Sequence, residues 1–382
     1  MKIYLYLRDF PSEPVTLNGG MDKAVGGLAA GLVANGAQAV ILCEGPRNAR
    51  FARPPGCEVV CFDNSATRAR QFAIAPDLRK FVETEIRAGD LVILNAIFHT
   101  SVFMLSRILR KRGIPYIVAP HDPYHPSIFA KSSLKKWGYW YACEKPTLRA
   151  AAAIQVLDQR HADFVRRLGV KTPVIEVING FAPTDVPEES ALTWDANRPA
   201  EILFLGRIDR QNKGLDVLID AFALVIGAHP GIRLTIQGPD SGDRSALESQ
   251  ARALGLTRQV EFRDPDFGVR PGDLAGRFDL FVLPSRFEGF GLSAMEAMLA
   301  ARPVLVTEVA GIAPHVRAAA CGVVADSTVE SIRTALLGIL SRRADWKSMG
   351  LRGREYVLRN FDWTFIASEA LGEYTRLVTA GS

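Results

Sequence analysis

The sequence is poor in cysteine and has no long apolar run. Its 382 residues include five cysteines, none of them in a C-x-x-C pair, and a chain of this length needs no disulfide to hold its core. No apolar stretch approaches the roughly 18 residues of a membrane-spanning helix, and Arg8 and Asp9 interrupt the apolar N-terminus. We therefore expect a cytoplasmic protein without a signal peptide or a membrane-spanning helix.

The composition is that of an ordinary globular protein. Hydrophobic residues make up 48% and charged residues 23% of the chain, which excludes disorder, collagen and fibrous coiled coil. The length is enough for two or three domains with substantial cores, and we expect two of similar size.

The net charge of +5 is unevenly distributed. Residues 1–180 hold 24 Lys and Arg against 15 Asp and Glu, whereas the remainder holds 22 against 26. The excess is concentrated in residues 106–150, where nine basic residues accompany two acidic ones. These basic residues are interleaved with the aromatic residues Phe129, Trp137, Tyr139, Trp140 and Tyr141.

This basic aromatic region has two functional interpretations and a simpler one. Basic residues with interfacial aromatics are typical of a protein that rests on an anionic membrane surface or holds a lipid-linked acceptor. Excess charge also serves solubility, and Arg110, Lys111 and Arg112 end a predicted helix, where cations favour the helix dipole. No nucleic-acid motif accompanies the region, and we expect no nucleic-acid binding.

Short apolar runs alternate with helix-length segments along the whole chain, which predicts buried parallel strands in two doubly wound α/β domains. The first half predicts strands at Lys2–Leu7, Ala39–Cys43, Glu58–Phe62, Leu91–Asn95, Tyr116–Ala119, Ile154–Leu157 and Val174–Ile178. After a polar, proline-containing linker at 182–199, the second half predicts strands at Glu201–Leu205, Arg233–Gln237, Gln259–Phe262, Leu280–Leu283 and Val304–Val306. Ligands of such sheets bind beyond the carboxyl ends of the strands, so we expect the chemistry in the strand-end loops of two facing domains.

Two strand-end loops of the second half are candidates for a binding site. In the loop from Gly206 to Gly214, Arg207 and Lys213 stand before a predicted helix, where backbone N–H groups also favour anions, so the loop suits a diphosphate or is simply a solvated charged turn. In the glycine-containing segment from Leu283 to Met298, Glu288 lies in the loop and Glu296 about one turn into the next helix. Their carboxylates suit the hydroxyls of a sugar, or satisfy local backbone groups.

The first half offers weaker signals. Gly19-Gly20 before the first helix is a phosphate or sugar contact of low specificity. His121 and His125 have the spacing of metal ligands, but Pro123 and Pro126 disfavour the helix that would align them, so we expect no metal site. His121 is then either a polar residue at a strand-end site or a structural histidine.

Taken together, these segments resemble the retaining glycosyltransferases of family four, with the GT-B fold. The resemblance runs over almost the whole chain. Its specific motifs are the G-R…K-G loop ending in Lys213-Gly214 and the E-x7-E segment from Glu288 to Glu296. Supporting ones are Gly19-Gly20, His121-Asp122, Val177-Ile178-Asn179-Gly180 and Phe361-Asp362-Trp363.

The resemblance implies a fold and a division of labour. Residues 1–181 are expected to form a Rossmann-like acceptor-binding domain, joined by a C-terminal helix at about 361–382, and residues 182–360 a Rossmann-like donor-binding domain. The implied catalytic residues are His121, Arg207, Lys213 and Glu288. The implied donor-binding residues are Gly20, Gly206, Phe290, Gly291, Leu292 and Glu296.

The implied activity is transfer of a hexose from a UDP- or GDP-sugar to a glycan or lipid-linked acceptor in polysaccharide or glycolipid synthesis. Arg207 and Lys213 would hold the leaving diphosphate without a metal, and no cofactor is expected because the nucleotide-sugar is a substrate. The protein would be cytoplasmic or peripheral on the inner membrane face. Alternatives are a catalytically silent nucleotide-sugar-binding or scaffold subunit of a glycan-assembly complex, and a GT-B phosphorylase or sugar-nucleotide epimerase.

The sequence departs from the family pattern at two places. Ile178 replaces a proline often found before Asn-Gly, and Ile312-Ala313-Pro314-His315 follows Gly311 without the glutamate often found there. The second departure leaves the donor contacts of that loop open.

Overall fold

In a computed structural model, the chain forms two α/β units. The structure describes residues 1–15, 17, 19–53, 56–68, 70, 72–122, 124–130, 133–195 and 197–380. The first unit comprises Met1–Gly180 and Asp362–Ser382, and the second comprises Phe181–Phe361. The expected boundaries, after residue 181 and at residue 361, lie within one residue of this division.

The first unit is built on an eight-stranded sheet. Its strands are β1 (Lys2–Tyr6), β2 (Gln38–Gly45), β3 (Ala49–Arg53), β4 (Cys57–Asp63), β5 (Leu91–Asn95), β6 (Tyr116–Ala119), β7 (Ala153–Val156) and β8 (Val174–Glu176). Its helices are α1 (Gly20–Ala34), α2 (Pro76–Thr84), α3 (Thr100–Lys111), α4 (Pro126–Ala130), α5 (Ser133–Tyr139), α6 (Lys145–Arg149) and α7 (Ala162–Arg167), with the last helix of the chain, α16 (Trp363–Ala380). The strand order is β3-β4-β2-β1-β5-β6-β7-β8, parallel throughout except for β3.

The second unit is built on a six-stranded parallel sheet of order β11-β10-β9-β12-β13-β14. Its strands are β9 (Glu201–Leu205), β10 (Arg233–Gln237), β11 (Val260–Arg263), β12 (Leu280–Leu283), β13 (Val304–Thr307) and β14 (Gly322–Ala325). Its helices are α8 (Arg210–Lys213), α9 (Leu215–Val225), α10 (Arg244–Ala253), α11 (Pro271–Ala275), α12 (Leu292–Leu299), α13 (Ala313–Ala319), α14 (Val329–Leu340) and α15 (Trp346–Asn360). The expected pair of doubly wound, Rossmann-like units is confirmed.

The central strands are buried on both faces, which is why the sequence locates them well. Every residue of β5, β6, β12 and β13 is buried, since helices cover both sides of each sheet. Such strands read as continuous apolar runs, and the predicted bounds of β5, β6, β9, β10 and β12 are confirmed to the residue.

Two strands are absent from the sequence-based prediction. Strand β3 pairs antiparallel with β4 at the edge of the sheet, and Arg50 in it forms a 2.8 Å ion pair with Glu58. Because β3 contains two arginines and is half-exposed, it does not form a continuous apolar run, and the sequence pattern does not predict it. Strand β14 is a short edge strand of only four residues, Gly322–Ala325. The sequence predicts a helix-length crossover between β2 and β4. The structure instead has β3 there, which forms a hairpin with β4.

The last helix packs against the first helix of the chain. Ideal Cβ atoms at Gly27 and Gly31 of α1 would lie 2.0 Å from Trp363 Nε1 and 2.2 Å from the Trp363 carbonyl oxygen, respectively. Asn35 Nδ2 donates to the Thr364 carbonyl at 2.7 Å, and the buried Tyr374 hydroxyl donates to Gln155 Oε1 at 2.5 Å. The two glycines therefore set how closely α16 approaches α1.

Among the helices of the described residues, none combines the length and the apolar character that a membrane crossing requires.

Replacing Gly31 with alanine should destabilise the first unit by about 1–3 kcal/mol, because the new methyl group meets the backbone carbonyl of Trp363. The control is Gly372→Ala in α16, where a Cβ has open space around it. That variant should gain roughly 0.5–1 kcal/mol, since alanine favours helix over glycine. Urea unfolding followed by circular dichroism measures both, and equal stability of the two variants would contradict the close α1–α16 contact.

Candidate functional site

Most candidate residues follow the strands at which the winding of a sheet reverses, whereas His121 follows β6, one strand beyond β5. In the second unit, β9 lies between β10 and β12, so the chain winds away from β9 first to one side and then to the other. In the first unit, β1 lies in the same way between β2 and β5. Crevices at such switch points are the usual ligand sites of open α/β sheets.

The side chains of Lys213 and Glu288 meet at the switch point of the second unit. Lys213 Nζ donates to Glu288 Oε2 at 2.6 Å, and both side chains are about 15% exposed. The hydroxyl of Ser285, itself fully buried, donates to the same carboxylate oxygen at 3.2 Å. The structure thus brings together two residues that stand 75 positions apart in the sequence.

The loops that carry this pair are fastened to each other through their backbones. The carbonyl of Asn212 accepts from Arg286 N at 2.8 Å and from Phe287 N at 3.1 Å. Arg286 forms a bidentate pair with Asp216, at 2.7 and 2.9 Å. Burial alone would raise the pKa of Asp216, but the hydrogen bonds and the charge of Arg286 outweigh it, so this pKa lies below its usual value. At Gly214, φ is +62° and a Cβ would lie 2.3 Å from the Pro284 carbonyl, so only glycine fits.

Arg207 differs from Lys213 in being exposed. Its side chain makes no ion pair within the part of the chain that the structure describes, and its positive charge helps to lower the pKa of Asp209 against the opposing effect of burial. The Asp209 carboxylate caps the short helix α8 by accepting from Asn212 N at 2.9 Å. Lys213 therefore lies at the end of a capped helical turn rather than in the open loop that the sequence suggests.

The glycine-containing segment after β12 is buried and held by its neighbours. Phe290 is 2% exposed, and its carbonyl accepts from Ile312 N at 2.8 Å. Gly291, with φ +107°, turns the chain into α12, which begins at Leu292. Glu296 lies in α12 and is 6% exposed, one turn into the helix as its spacing predicts. The loop that contains Gly311 and Ile312 thus supports the segment through its backbone.

In the first unit, a cavity of about 160 Å³ lies beside the start of α1. It is lined by Arg8 and Asp9 after β1, by Asn95 at the end of β5 and His99 after it, and by Met21 and Asp22 of α1. We refer to it as the switch-point cavity. Gly20, the first residue of α1, directly precedes Met21, so its backbone stands next to this space.

His121 is fixed by Asn95 at the same sheet edge. Its Nε2 lies 2.8 Å from Asn95 Oδ1, while Asn95 Nδ2 donates to the Tyr6 carbonyl at 3.0 Å. Because Oδ1 only accepts, the proton of a neutral His121 is on Nε2, and Nδ1 is left as an acceptor. Burial lowers the pKa of His121 to about 4, so the ring is neutral near pH 7.

A buried carboxylate, Glu144, joins the two loops around His121. Glu144 Oε1 accepts from the Tyr124 hydroxyl at 2.6 Å, and Oε2 accepts from Phe98 N at 3.2 Å. Burial raises the pKa of Glu144 to about 7, although these two hydrogen bonds oppose the shift. Glu144 closes a π-helical turn, Trp140–Glu144, between α5 and α6.

The backbone around Glu144 is strained. Ala96, Phe98, His121 and Tyr124 all have positive φ, between 49° and 84°, at the ends of β5 and β6. Non-glycine residues in this region are uncommon and cluster at functional sites. The hydrogen bonds of Asn95 and Glu144 hold these conformations in place.

Several of these partners are not among the residues that the sequence predicts for the site. Asn95 carried a usable signal, because a polar residue ends the apolar run Leu91–Asn95 and is 3% exposed. Glu144 is one of only two acids in residues 106–150, which was a weaker signal. Ser285 had no distinguishing pattern.

Several aromatic residues of the basic region belong to the core. Phe129 is 5% exposed and Trp140 is fully buried, so the expectation that they form an interfacial surface is wrong. Trp137 stacks on Phe129 at 4.3 Å and is only partly buried. Tyr141, 63% exposed, remains on the surface together with the 88% exposed Leu134.

The structure places no cluster of three or more His, Cys, Asp or Glu side chains that could hold a metal ion, as far as the described residues go. Pro123, one of the two prolines behind the sequence argument on His121 and His125, lies outside those residues. Pro126 begins α4, so His125 precedes that helix.

Two protein families match the chain. Residues 199–342 match the family described as glycosyl transferases group 1, and residues 19–180 match the glycosyl transferase 4-like domain. The two matches fall one in each structural unit.

The chain is also similar to individual proteins, either over about half of its length or over its full length at about 20% identity. The D-inositol 3-phosphate glycosyltransferase of Rhodococcus erythropolis strain PR4 is 34% identical over 194 residues, 47% of this chain and 42% of that protein. The chain spans about half the length of the first curated relatives it matches. Sucrose-phosphate synthase from Thermosynechococcus elongatus has a TM-score of 0.78 at 22% identity, covering 100% of both chains. Anabaena HepE, solved with UDP and glucose, has a TM-score of 0.70 at 18% identity, covering 98% of this chain and 100% of its own.

Glu144 should make the stability of the first unit depend on pH. Its pKa of about 7 in the folded protein exceeds the ordinary value of 4.5, so the folded state binds the proton more tightly than the unfolded state does. This contribution is complete below about pH 4.5 and is lost as the pH rises to about 7, a change on the order of 3 kcal/mol. Urea unfolding between pH 4.5 and about 8 measures it, and the Glu144→Gln variant should lack it.

The control is Glu83→Gln, which neutralises an exposed acid of α2. It should retain the pH dependence of the parent protein. If Glu144→Gln also retained it, Glu144 would not be the group that titrates.

Proposed function

Because this chain belongs to the family of glycosyl transferases group 1, with a glycosyl transferase 4-like domain in its first unit, we propose that it is a retaining hexosyltransferase. The donor is a UDP- or GDP-sugar, and the acceptor is a glycan or a lipid-linked molecule. The second unit binds the donor, and the first unit binds the acceptor.

One observation carries this proposal above the others: the contact of Lys213 with Glu288 at the switch point of the second sheet. A largely buried lysine beside a carboxylate provides both functions that a nucleotide-sugar requires. The ammonium group attracts the diphosphate, and the carboxylate accepts hydrogen bonds from sugar hydroxyls. Arg207, exposed in the same loop, supplies a second cation.

The chemical step breaks the bond between the anomeric carbon and the diphosphate oxygen, and negative charge develops on the leaving group. Lys213 and Arg207 stabilise this charge in the proposed mechanism, which therefore runs without a metal ion. The acceptor oxygen forms its bond to the same face of the sugar that the diphosphate leaves. The proton of the acceptor hydroxyl passes to the departing diphosphate, so no enzymic nucleophile is required.

The remaining candidate residues are given roles that agree with a donor-binding second unit and an acceptor-binding first unit. In this proposal Glu296 of α12 contacts the ribose, and backbone amides around Phe290, Gly291 and Leu292 contact the phosphate and the sugar. A neutral His121 with Nδ1 as an acceptor suits a sugar hydroxyl better than it suits a phosphate. The roles of His121 and of Gly20 toward the donor stay predictions. HepE, solved with UDP and glucose, supports a uridine nucleotide as the first donor to test.

The protein acts in the cytoplasm or peripherally on the inner face of the membrane in this proposal. Exposed Leu134 lies in α5 and exposed Tyr141 in the π-helical turn that follows it, with Lys135 next to Leu134 in sequence and Lys145 four residues after Tyr141. Lys145 Nζ lies 5.5 Å from the Tyr141 ring. Apolar residues flanked by lysines are the composition of a segment that rests on anionic lipid, and we assign this surface the membrane contact.

Nucleotides of the correct base should stabilise the protein with EDTA present. At about 100 times its dissociation constant, the donor or its diphosphate adds roughly 2.7 kcal/mol, measured as a rise in Tm with UDP, GDP and ADP and their sugar conjugates. The Lys213→Ala variant should lose most of this shift and about 10²- to 10³-fold in turnover, because one charge no longer stabilises the leaving group.

Lys347→Ala is the matched control, since it removes an exposed lysine of the same unit. It should keep the nucleotide shift and the turnover of the parent protein. Absence of any nucleotide shift would contradict the donor site, and binding without turnover on any acceptor would favour a silent scaffold subunit instead.

The membrane contact is tested by sedimentation with lipid vesicles. The protein should bind vesicles that contain phosphatidylglycerol and not vesicles of phosphatidylcholine alone. Replacing Leu134 and Tyr141 with serine should weaken binding about tenfold, through the loss of apolar area. Leu224→Ser changes an exposed leucine of the second unit, 58% exposed, and should leave binding unchanged. Equal binding by the two variants would refute the assignment.

A further inference from the structure

Two loops of the first unit meet twice at the sheet edge where β5 and β6 end. Asn95 closes β5 and His121 is the second residue after β6, and their side chains make the first meeting point, with Nε2 of the ring 2.8 Å from Oδ1 of the amide. Phe98 and Tyr124 each stand three residues further along the same loops. Their rings make the second meeting point, edge to face with centroids 6.3 Å apart.

A single buried carboxylate fastens the second meeting point. Glu144 Oε1 accepts from the Tyr124 hydroxyl at 2.6 Å, and its Oε2 accepts from Phe98 N at 3.2 Å, so one side chain holds both loops. Glu144 is 4% exposed and Tyr124 is 1% exposed, so water competes little for these hydrogen bonds. We call Glu144, Tyr124 and Phe98 the Glu144 clasp.

The loops need such a fastening because their backbones are strained. Phe98 and Tyr124 have φ of 56° and 49°, and His121 has φ of 60°. Residues with a side chain adopt this left-handed region uncommonly, and they stay in it only where neighbouring contacts fix them. The Glu144 clasp supplies contacts of this kind three residues beyond Asn95 and His121.

The Glu144 clasp is itself fixed by the core. Glu144 ends the π-helical turn Trp140–Glu144, and the fully buried Trp140 packs edge to face on Tyr124 at 5.5 Å. The Tyr124 ring thus contacts both Trp140 and Phe98. Turns of this type occur mostly at functional sites. Core packing therefore sets the position of the Glu144 carboxylate, and the carboxylate sets the spacing of the two loops.

The state of the His121 ring depends on that spacing. The contact with Asn95 keeps the proton on Nε2 and leaves Nδ1 as an acceptor, and burial alone lowers the pKa of His121 to about 4. If the loops separate, the ring loses Asn95 and gains water. The proton then distributes over both nitrogens, and the pKa rises toward the ordinary value for histidine.

We propose that Glu144 is a positioning residue for His121. By binding Tyr124 and Phe98, it keeps the two loops at the spacing at which Asn95 fixes the His121 tautomer. The use of this positioning in catalysis rests on the proposed function, which gives His121 a sugar hydroxyl as its partner.

The test is long-range ¹H–¹⁵N NMR of the full chain labelled at its six histidines, which shows which ring nitrogen carries the proton and reports each pKa. Loss of a signal in His121→Gln identifies His121. Glu144→Leu should break both hydrogen bonds, give a mixture of tautomers at His121 and raise its pKa from about 4 to above about 5. Glu144→Gln should keep the parent spectrum, because an amide can accept from Phe98 N and donate to the Tyr124 hydroxyl oxygen.

A milder variant keeps the test open if Glu144→Leu does not fold. Tyr124→Phe removes one of the two hydrogen bonds and should change the His121 spectrum in the same direction, by a smaller amount. Its matched control is Tyr116→Phe in β6. The Tyr116 hydroxyl is buried and donates to the Thr147 carbonyl at 2.8 Å, so this variant loses a comparable bond and should keep the parent spectrum.

Glu44 provides a matched control for Glu144→Leu. It is also 4% exposed, and its carboxylate likewise accepts from a buried tyrosine hydroxyl, that of Tyr6 at 2.6 Å, and from a backbone N–H, that of Ala75 at 2.9 Å. Glu44→Leu therefore removes the same kind of contact away from the two loops. It should lower stability and leave the His121 spectrum unchanged.

Three results would overturn the proposal. The first is a parent-like His121 spectrum in Glu144→Leu, or in Tyr124→Phe where Glu144→Leu does not fold. The second is a Glu44→Leu spectrum altered as much as that of Glu144→Leu, since general destabilisation would then be the cause. The third is a Glu144→Gln spectrum that matches Glu144→Leu, since the hydrogen bonds would then not be what positions the ring.

Turnover separates this proposal from the proposed function. With a donor and acceptor that react, Glu144→Leu should lower kcat about tenfold or more and change the KM of the donor less than about threefold, because His121 is misplaced while Lys213 and Glu288 are intact. Glu144→Gln should restore kcat. An altered spectrum with unchanged kcat would support the positioning and refute a role of His121 in the reaction. Absence of turnover in the parent protein would refute the transferase and leave the spectra to decide the positioning.

Discussion

Each sheet reverses its winding beside its first strand, and this constraint brings the loops that follow the neighbouring strands to one edge of each sheet. In the second unit, the loops after β9 and β12 must meet because these strands pair, with Leu280 opposite Ile202. In the first unit, β1 pairs with both β2 and β5, so the loops that follow these three strands share one edge. Lys213 and Glu288, and likewise Arg8 and Asn95, are neighbours for this reason.

Topology alone does not position side chains, and the two units solve this problem differently. The second unit uses backbone contacts: the Asn212 carbonyl holds the loop after β12, and Gly214 permits the close approach to Pro284. The first unit uses buried side chains: Asn95 orients His121, and Glu144 holds two loops whose backbones are strained. Lys213 is thus carried by a turn, whereas the neutral imidazole of His121 is held in one tautomer by Asn95.

The sequence predicts the elements that depend on a local pattern of residues. It does not predict contacts between side chains that are distant in the chain. Continuous apolar runs marked β5 and β12 to the residue because both faces of those strands are covered. Strand β3 was not predicted, because an edge strand need not be apolar and this one contains Arg50 and Arg53. The E-x7-E spacing located Glu288 and Glu296, but nothing local indicated that Ser285 and Lys213 converge on Glu288, or that Glu144 binds Tyr124 and Phe98.

The basic half of the chain shows how one composition serves several physical needs. Phe129 and Trp140 stabilise the core, and Arg112 donates to the carbonyls of Val82 and Ile86, so these residues are not available to a ligand. On the surface lie the short stretch around Leu134 and Tyr141 and the exposed side chains of Arg110 and Lys111 at the end of α3, while Arg8 and Arg68 line a cavity outside the basic region. Positive charge in the first unit is therefore divided among packing, a surface and a cavity, and each use makes a separate demand on the sequence.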